Sequence, residues 1–148
     1  LMPVLFTELW VPLDRAPEVM RALRDFWAAG GLEATGTFAT EIYAAPASPF
    51  TLSAAHGTPV LRIDPFVFWR DGAQPELDFF PQYWELLKSF DARFHWGKSL
   101  SAPGSSTGSA YRRDKCGAAA WDSWKALRAA WDPQQVFVNH YWRAHLGL

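Results

Sequence analysis

The chain has 148 residues, 49% of them apolar and 20% charged, with a formal net charge of -1. That length and balance fit one compact domain with a real core and exclude a disordered or collagen-like chain. The near-neutral charge argues against a protein that tracks nucleic-acid phosphates, the single Cys116 excludes an internal disulfide or Cys-based zinc cluster, and no apolar run is long enough for a membrane span. The opening LMPVLFTELW has neither a basic n-region nor a small-residue cleavage site, so no signal peptide is expected and a cytoplasmic location is. Nine Trp, eleven Phe and four Tyr bring the aromatics to 16%. They serve either a core of large side chains or an apolar face that covers a flat ligand or another domain.

Residues 5–11 alternate apolar and polar side chains around Thr7 and Glu8, as a half-buried strand does. Asp14 offers a helix cap and Pro17 suits a first turn. Val19, Met20, Leu23, Phe26 and Trp27 then recur at helical spacing, and Gly30 and Gly31 are expected to stop that helix. A second strand is expected over residues 37–44, with Phe38, Thr40 and Ile42 on one face and Ala39, Glu41 and Tyr43 on the other. A third covers 60–69, broken by Arg62, Asp64 and Pro65. Pro65 points to an edge or a bulge, and Asp71-Gly72 to a turn. Residues 78–90 read as a helix with a broad apolar surface, 93–96 as a short strand, and 99–109 as a Ser/Gly/Pro loop. A helix over 118–131 is broken by Asp132-Pro133, and the aromatic tail 136–148 allows one more short helix. The order strand, helix, strand, strand, helix, strand is a split βαβ plan. It predicts an α+β fold: an antiparallel sheet with helices on one face, a free opposite face to which Glu41 could point, and a helical tail.

The sequence contains no dinucleotide or phosphate loop, no G-x-S-x-G and no H-E-x-x-H, and its four histidines (His56, His95, His140, His145) are scattered, so no metal site is expected. Two strings remain. In Thr40-Glu41-Ile42-Tyr43 a carboxylate sits between apolar strand neighbours, where it must face water, a partner or a ligand. In Arg93-Phe94-His95-Trp96-Gly97-Lys98 a glycine at a strand end admits close backbone approach, beside a lysine with three donors. On residue type alone, a solvated glutamate and a solvated lysine explain both.

Residues 93–98, RFHWGK, resemble the R-P-H-W-G-K segment of the aldonolactone and alditol oxidases, flavoproteins of the vanillyl-alcohol-oxidase type. The segment from Trp131 through Asp132-Pro133 to Phe137 and Asn139 is similar to that family's closing D-P-x-x-x-F-x-N. Glu41-Ile42-Tyr43 stands where the family carries E-I-R or E-Q-R, and the opening TELWVPLDRAPEVMRAL looks like the strand and helix of the substrate-side cap. The resemblance implies an FAD-dependent enzyme that oxidises an alcohol. Its FAD would be bound mainly by an N-terminal domain that is absent from this chain and is the expected partner. The chain alone would be inactive. Residues 1–98 would form the cap and substrate-side domain, and 99–148 the loop, helix and tail packed against that FAD-binding domain.

The resemblance also assigns roles. Glu41 would bind or help deprotonate the substrate hydroxyl. Lys98 would lie near the substrate oxygen or the pyrimidine side of the flavin, so these two are the catalytic candidates. Tyr43, His95 and Trp96 are the substrate-binding candidates, and His95, Lys98 and Asn139 the cofactor-binding ones, with Asn139 better suited to ordering the tail. One departure stands out. Tyr43 replaces the arginine of the family motif, and a phenol is no substitute for a fixed positive fork. This shifts the expected small-molecule substrate from a sugar lactone or polyol toward a less polar alcohol, as in the sterol oxidases of the same superfamily. A non-catalytic module that keeps the cap scaffold for a ligand or partner is the alternative.

Overall fold

A computed structural model describes residues 3–36, 38–68 and 73–148. Thr37, Trp69 and the expected turn at Asp71-Gly72 lie outside the described residues. Among the described residues five strands, β1 (Val4–Phe6), β2 (Leu9–Pro12), β3 (Ala39–Ala45), β4 (Val60–Phe68) and β5 (Arg93–Phe94), form one antiparallel sheet. β4 pairs with β3 along one side and with β1 and β2 along the other, and β5 extends β2. The sheet is the one a split βαβ plan requires, because the third strand inserts between the first two.

Pro65 is neither at an edge nor in a bulge. It sits in the central strand, and the pairing of β4 keeps one register from Phe6↔Phe66 to Leu9↔Ile63. Proline has no N–H for the ladder. The single strand expected over 5–11 is therefore split into β1 and β2, with a gap at Thr7 and Glu8, opposite Pro65 and Asp64.

One face of the sheet is covered by α1 (Ala16–Thr35) and α3 (Phe80–Lys88), the latter preceded by the single turn α2 (Pro75–Asp78). Leu9, Val11, Ile63, Val67 and Phe94 point to this side, where they meet Val19 and Leu23 of α1 and Phe80, Tyr83, Trp84 and Leu87 of α3. Such side chains each contribute about 1.5–3 kcal/mol when fully buried. Two indoles in this layer are matched: the Trp84 indole donates to Thr7 Oγ1 at 2.9 Å, and the Trp27 indole to the Tyr83 hydroxyl at 3.0 Å. Gly31 does not end α1. Its backbone leaves the helical region at φ 64°, and helical turns resume as far as Thr35. The helix expected over 78–90 begins as two pieces, because Phe79 departs from helical angles just before α3, in which Pro81 occupies the first turn.

The tail packs as three helices, α4 (Ser109–Cys116), α5 (Ala118–Trp131) and α6 (His140–Leu146). The helix α4 has no apolar stripe in the sequence. It is held by polar contacts: Tyr111 donates to the Ala92 carbonyl at 2.6 Å, and the buried Arg112 donates to the carbonyls of Ser101 and Thr107 and meets His145 Nδ1 at 3.0 Å. Trp121 is buried against Trp96 and Trp124. Among the described residues, no helix is long and apolar enough to cross a membrane.

Candidate functional site

The sheet face opposite α1 and α3 is built by strand alternation. If Ile42, Ile63, Leu9 and Phe94 enter the core, their neighbours in sequence must point the other way. The pairing then lines up two rows across the four strands. Tyr43, Arg62, Trp10 and Arg93 make one; Glu41, Asp64, Glu8 and His95 make the next. Adjacent strands are about 4.8 Å apart, so the second row sets three carboxyl groups and an imidazole along about 14 Å.

Glu8 is 1% exposed, and its contacts converge on one oxygen. Its Oε1 accepts from the Trp10 indole at 2.6 Å and from Arg62 Nε at 2.6 Å, and pairs with a second Arg62 nitrogen. The Arg62 guanidinium is stacked over the Tyr43 ring at 4.2 Å and the Trp10 ring at 4.5 Å. The positive fork that Tyr43 lacks is thus present one strand away, but it is committed to Glu8. Asp64, next in the row, is 3% exposed, and its Oδ1 is buried with no hydrogen-bond partner. Burial, reinforced by Glu8 and Glu41 and opposed by Lys98 and Arg62, pushes its pKa up to about 6.

Among the expected site residues, the open face gathers Glu41, Tyr43, His95 and Lys98. Glu41 is exposed beside Asp64. The Lys98 ammonium lies 3.3 Å from the centroid of the Phe6 ring and forms no ion pair among the described residues, while its charge reaches both Asp64 and His95. His95 Nδ1 accepts from the Gly97 N–H at 3.0 Å, which leaves Nε2 as the protonated nitrogen. Burial, with Lys98 and Arg62 nearby, holds the imidazole below its ordinary pKa, against the pull of Glu8. Gly97 serves this contact: a Cβ there would stand 3.2 Å from His95 Cε1.

Trp96 and Asn139 lie apart from this row. The Trp96 indole donates to the Leu52 carbonyl at 3.0 Å, and its ring joins Trp121 in the tail. Asn139 caps α6 by accepting from the Trp142 N–H at 2.9 Å. The buried Asp132 accepts from the N–H groups of Val136 and Phe137 at 2.7 and 3.1 Å. The tail motif is therefore a device that shapes backbone. The residues that sequence reasoning missed are Glu8, Trp10, Arg62 and Asp64. Their signal was present: Arg62 and Asp64 are two apart in an otherwise apolar strand, as are Glu8 and Trp10, so each pair shares one face.

The profile of the D-arabinono-1,4-lactone oxidase family matches residues 2–145. The chain belongs to this family. No curated protein matches it. As a D-arabinono-1,4-lactone oxidase family member the chain is an aldonolactone oxidase-like oxidoreductase domain, and enzymes of this family are in general FAD-dependent. The open face presents an ammonium without an acidic partner among the described residues, an imidazole carrying one proton, an exposed carboxylate and a buried one lacking a donor.

Proposed function

We propose that this chain is the substrate-side part of an FAD-dependent enzyme that oxidises the CH–OH group of a sugar lactone, polyol or related alcohol. Its FAD is bound mainly by an N-terminal domain or chain outside these 148 residues. The observation that carries this reading is the sheet's division of labour. Leu9 and Val11 of β2, Ile63 of β4 and Phe94 of β5 point to the helices, while Glu41, Asp64, His95 and Lys98 share the other face. When bound, FAD supplies the acceptor for the hydride leaving the carbinol carbon. Glu41 orients the substrate hydroxyl and takes its proton at a carboxylate oxygen. Lys98 stabilises negative charge as that proton leaves, in a place where its charge is not spent on a fixed acid. His95, neutral with its proton on Nε2, is free to donate to a cofactor or substrate atom at the far end of the row.

The exposed aromatics of the tail fit the same reading. Trp131 and Phe137 are 83% and 85% exposed, and Leu127 and Val136 are also open. Residues 99–148 would bury this surface against the FAD-binding domain, since patches of this kind mark interaction sites. A cytoplasmic location goes with this reading. The test is Lys98→Met in the complete, FAD-loaded protein. The volume is nearly conserved, so folding should hold. Stopped-flow bleaching of the flavin under anaerobic conditions should slow by on the order of a hundredfold, as for loss of a preorganised charge. Bleaching at the parental rate at saturating substrate would remove Lys98 from the chemistry.

A further inference from the structure

Asp64 is the one member of the acidic row whose needs the protein does not meet. Its Oδ1 is buried without a hydrogen-bond partner, although the residue is 3% exposed and stands in the central strand of the open face. Its flanking residues in the row are Glu41 on β3 and Glu8 in the gap between β1 and β2, and an ionised carboxylate has no hydrogen to give. Among the described residues no cation on this face bonds Asp64 Oδ1. Arg62, from β4 itself, donates to Glu8, and the Lys98 ammonium rests on the Phe6 ring. His95, beyond Glu8, has Nδ1 tied to Gly97. Buried acceptors are almost always satisfied, and an orphan in a native site calls for an explanation.

We propose that Asp64 is the specificity-determining residue of this site, its Oδ1 accepting a hydrogen bond from a second donor on the substrate, a hydroxyl or ammonium group next to the reacting carbinol. This deepens, and rests on, the reading above. The spacing supports it. Glu41 and Asp64 are paired across neighbouring strands about 4.8 Å apart, so a substrate hydroxyl held at Glu41 brings the donor on an adjoining carbon toward Asp64. The carboxyl pKa, pushed up to about 6 chiefly by burial, is that of an acid short of donors. The replacement at Tyr43 therefore does not make the site apolar. A site with a buried acceptor discriminates strongly against ligands that leave it unpaired.

The experiment uses the complete FAD-loaded protein and three probes of equal chain length: 1-pentanol, 1,2-pentanediol and 2-amino-1-pentanol, whose amine is protonated at pH 7.5. Affinities are measured by isothermal titration calorimetry on anaerobic protein reduced beforehand, so that no turnover occurs. Values of kcat/KM come from the oxidised protein. The wild type should bind the diol or the amino alcohol at least tenfold more tightly than 1-pentanol. Preference for the diol identifies a hydroxyl as the donor, and preference for the amino alcohol an ammonium. Asp64→Val should bring all three within about twofold of one another. Asp64→Asn, isosteric and still an acceptor, should erase a preference for the amino alcohol and keep part of one for the diol. Should the valine variant not fold, the wild-type ranking and the asparagine variant decide. Equal wild-type affinities for all three probes, or an equal loss for all three in the variants, overturns the assignment to Asp64. If those probes are oxidised with equal kcat/KM as well, the alcohol-oxidising reading survives. If no alcohol in a wider panel of polyols and sugar lactols bleaches the flavin, that reading falls, and the inference with it.

Discussion

Arg62→Leu should be one of the most damaging single changes on the open face, for a reason that lies in Glu8. The Glu8 carboxylate is 1% exposed, and of its three polar contacts two come from Arg62 and one from Trp10. Leucine removes the charge while leaving an anion that cannot return to water. Breaking one side of a buried pair costs about 3–5 kcal/mol. The Arg62 side chain keeps 21% of its surface in solvent, so the lower end, about 3 kcal/mol, is the expected loss. For a chain of this size that is a fall of about 10 °C in Tm. Glu8→Gln should cost less, about 1 kcal/mol, because the amide oxygen still accepts from Trp10. The double variant should be more stable than the sum of the two losses predicts, by about 1.5–3 kcal/mol. Urea and thermal unfolding followed by near-UV circular dichroism give all four corners of this cycle. If Arg62→Leu stays within about 1 kcal/mol of the parent, or the two changes simply add, then Glu8 does not depend on Arg62 and the account of the row is wrong.

Other expectations can be checked in the same way. The pKa of Asp64 is raised on folding, so its ionisation opposes the native state: the penalty is absent below its ordinary value of 3.8, grows as pH rises, and is complete above about 6. Asp64→Asn should therefore stabilise the protein at pH 8, by on the order of 1 kcal/mol after allowing for water at the open face, with the gap closing near pH 4 in a pH series of urea melts. Gly108→Ala should lose about 2 kcal/mol or more in the same melts, because a Cβ there would meet the Pro103 carbonyl oxygen at 2.1 Å and backbone cannot yield as a side chain can. Asp132→Ala should cost about 1–2 kcal/mol and raise amide hydrogen exchange at Val136 and Phe137, whose N–H groups lose their acceptor. Unchanged exchange at those two amides would show that the carboxylate does not hold that turn.

The sheet was legible because its signals are short-range. Alternation in β3 told Glu41 and Tyr43 from Ile42, and the order of elements supplied the split βαβ plan that the strand pairing bears out. Two kinds of feature stayed hidden. The first is register: nothing within residues 60–68 says that Asp64 will stand between Glu41 and Glu8, since each strand contributes only one member of the row. The second is structure carried by polar contacts. The helix α4 has no apolar period because Arg112 and Tyr111 hold it through carbonyls that lie outside the helix. Pro65 misled in an instructive way. Its missing N–H predicts a defect, and a defect is present, but as a gap inside a continuous register in place of an edge.

The caps in the tail have a thermodynamic consequence for whatever meets it. Asp132 closes the turn that leads out of α5, and Asn139 starts α6, both through bonds internal to the chain. Trp131, Val136 and Phe137 are thereby held on a backbone whose conformation is fixed from within, even though their side chains stand in water. Association of a floppy aromatic tail would forfeit roughly 1–2 kcal/mol of backbone freedom for every residue it ordered. Here that loss has already been incurred during folding, so a contacting surface gains nearly the full hydrophobic return from each ring.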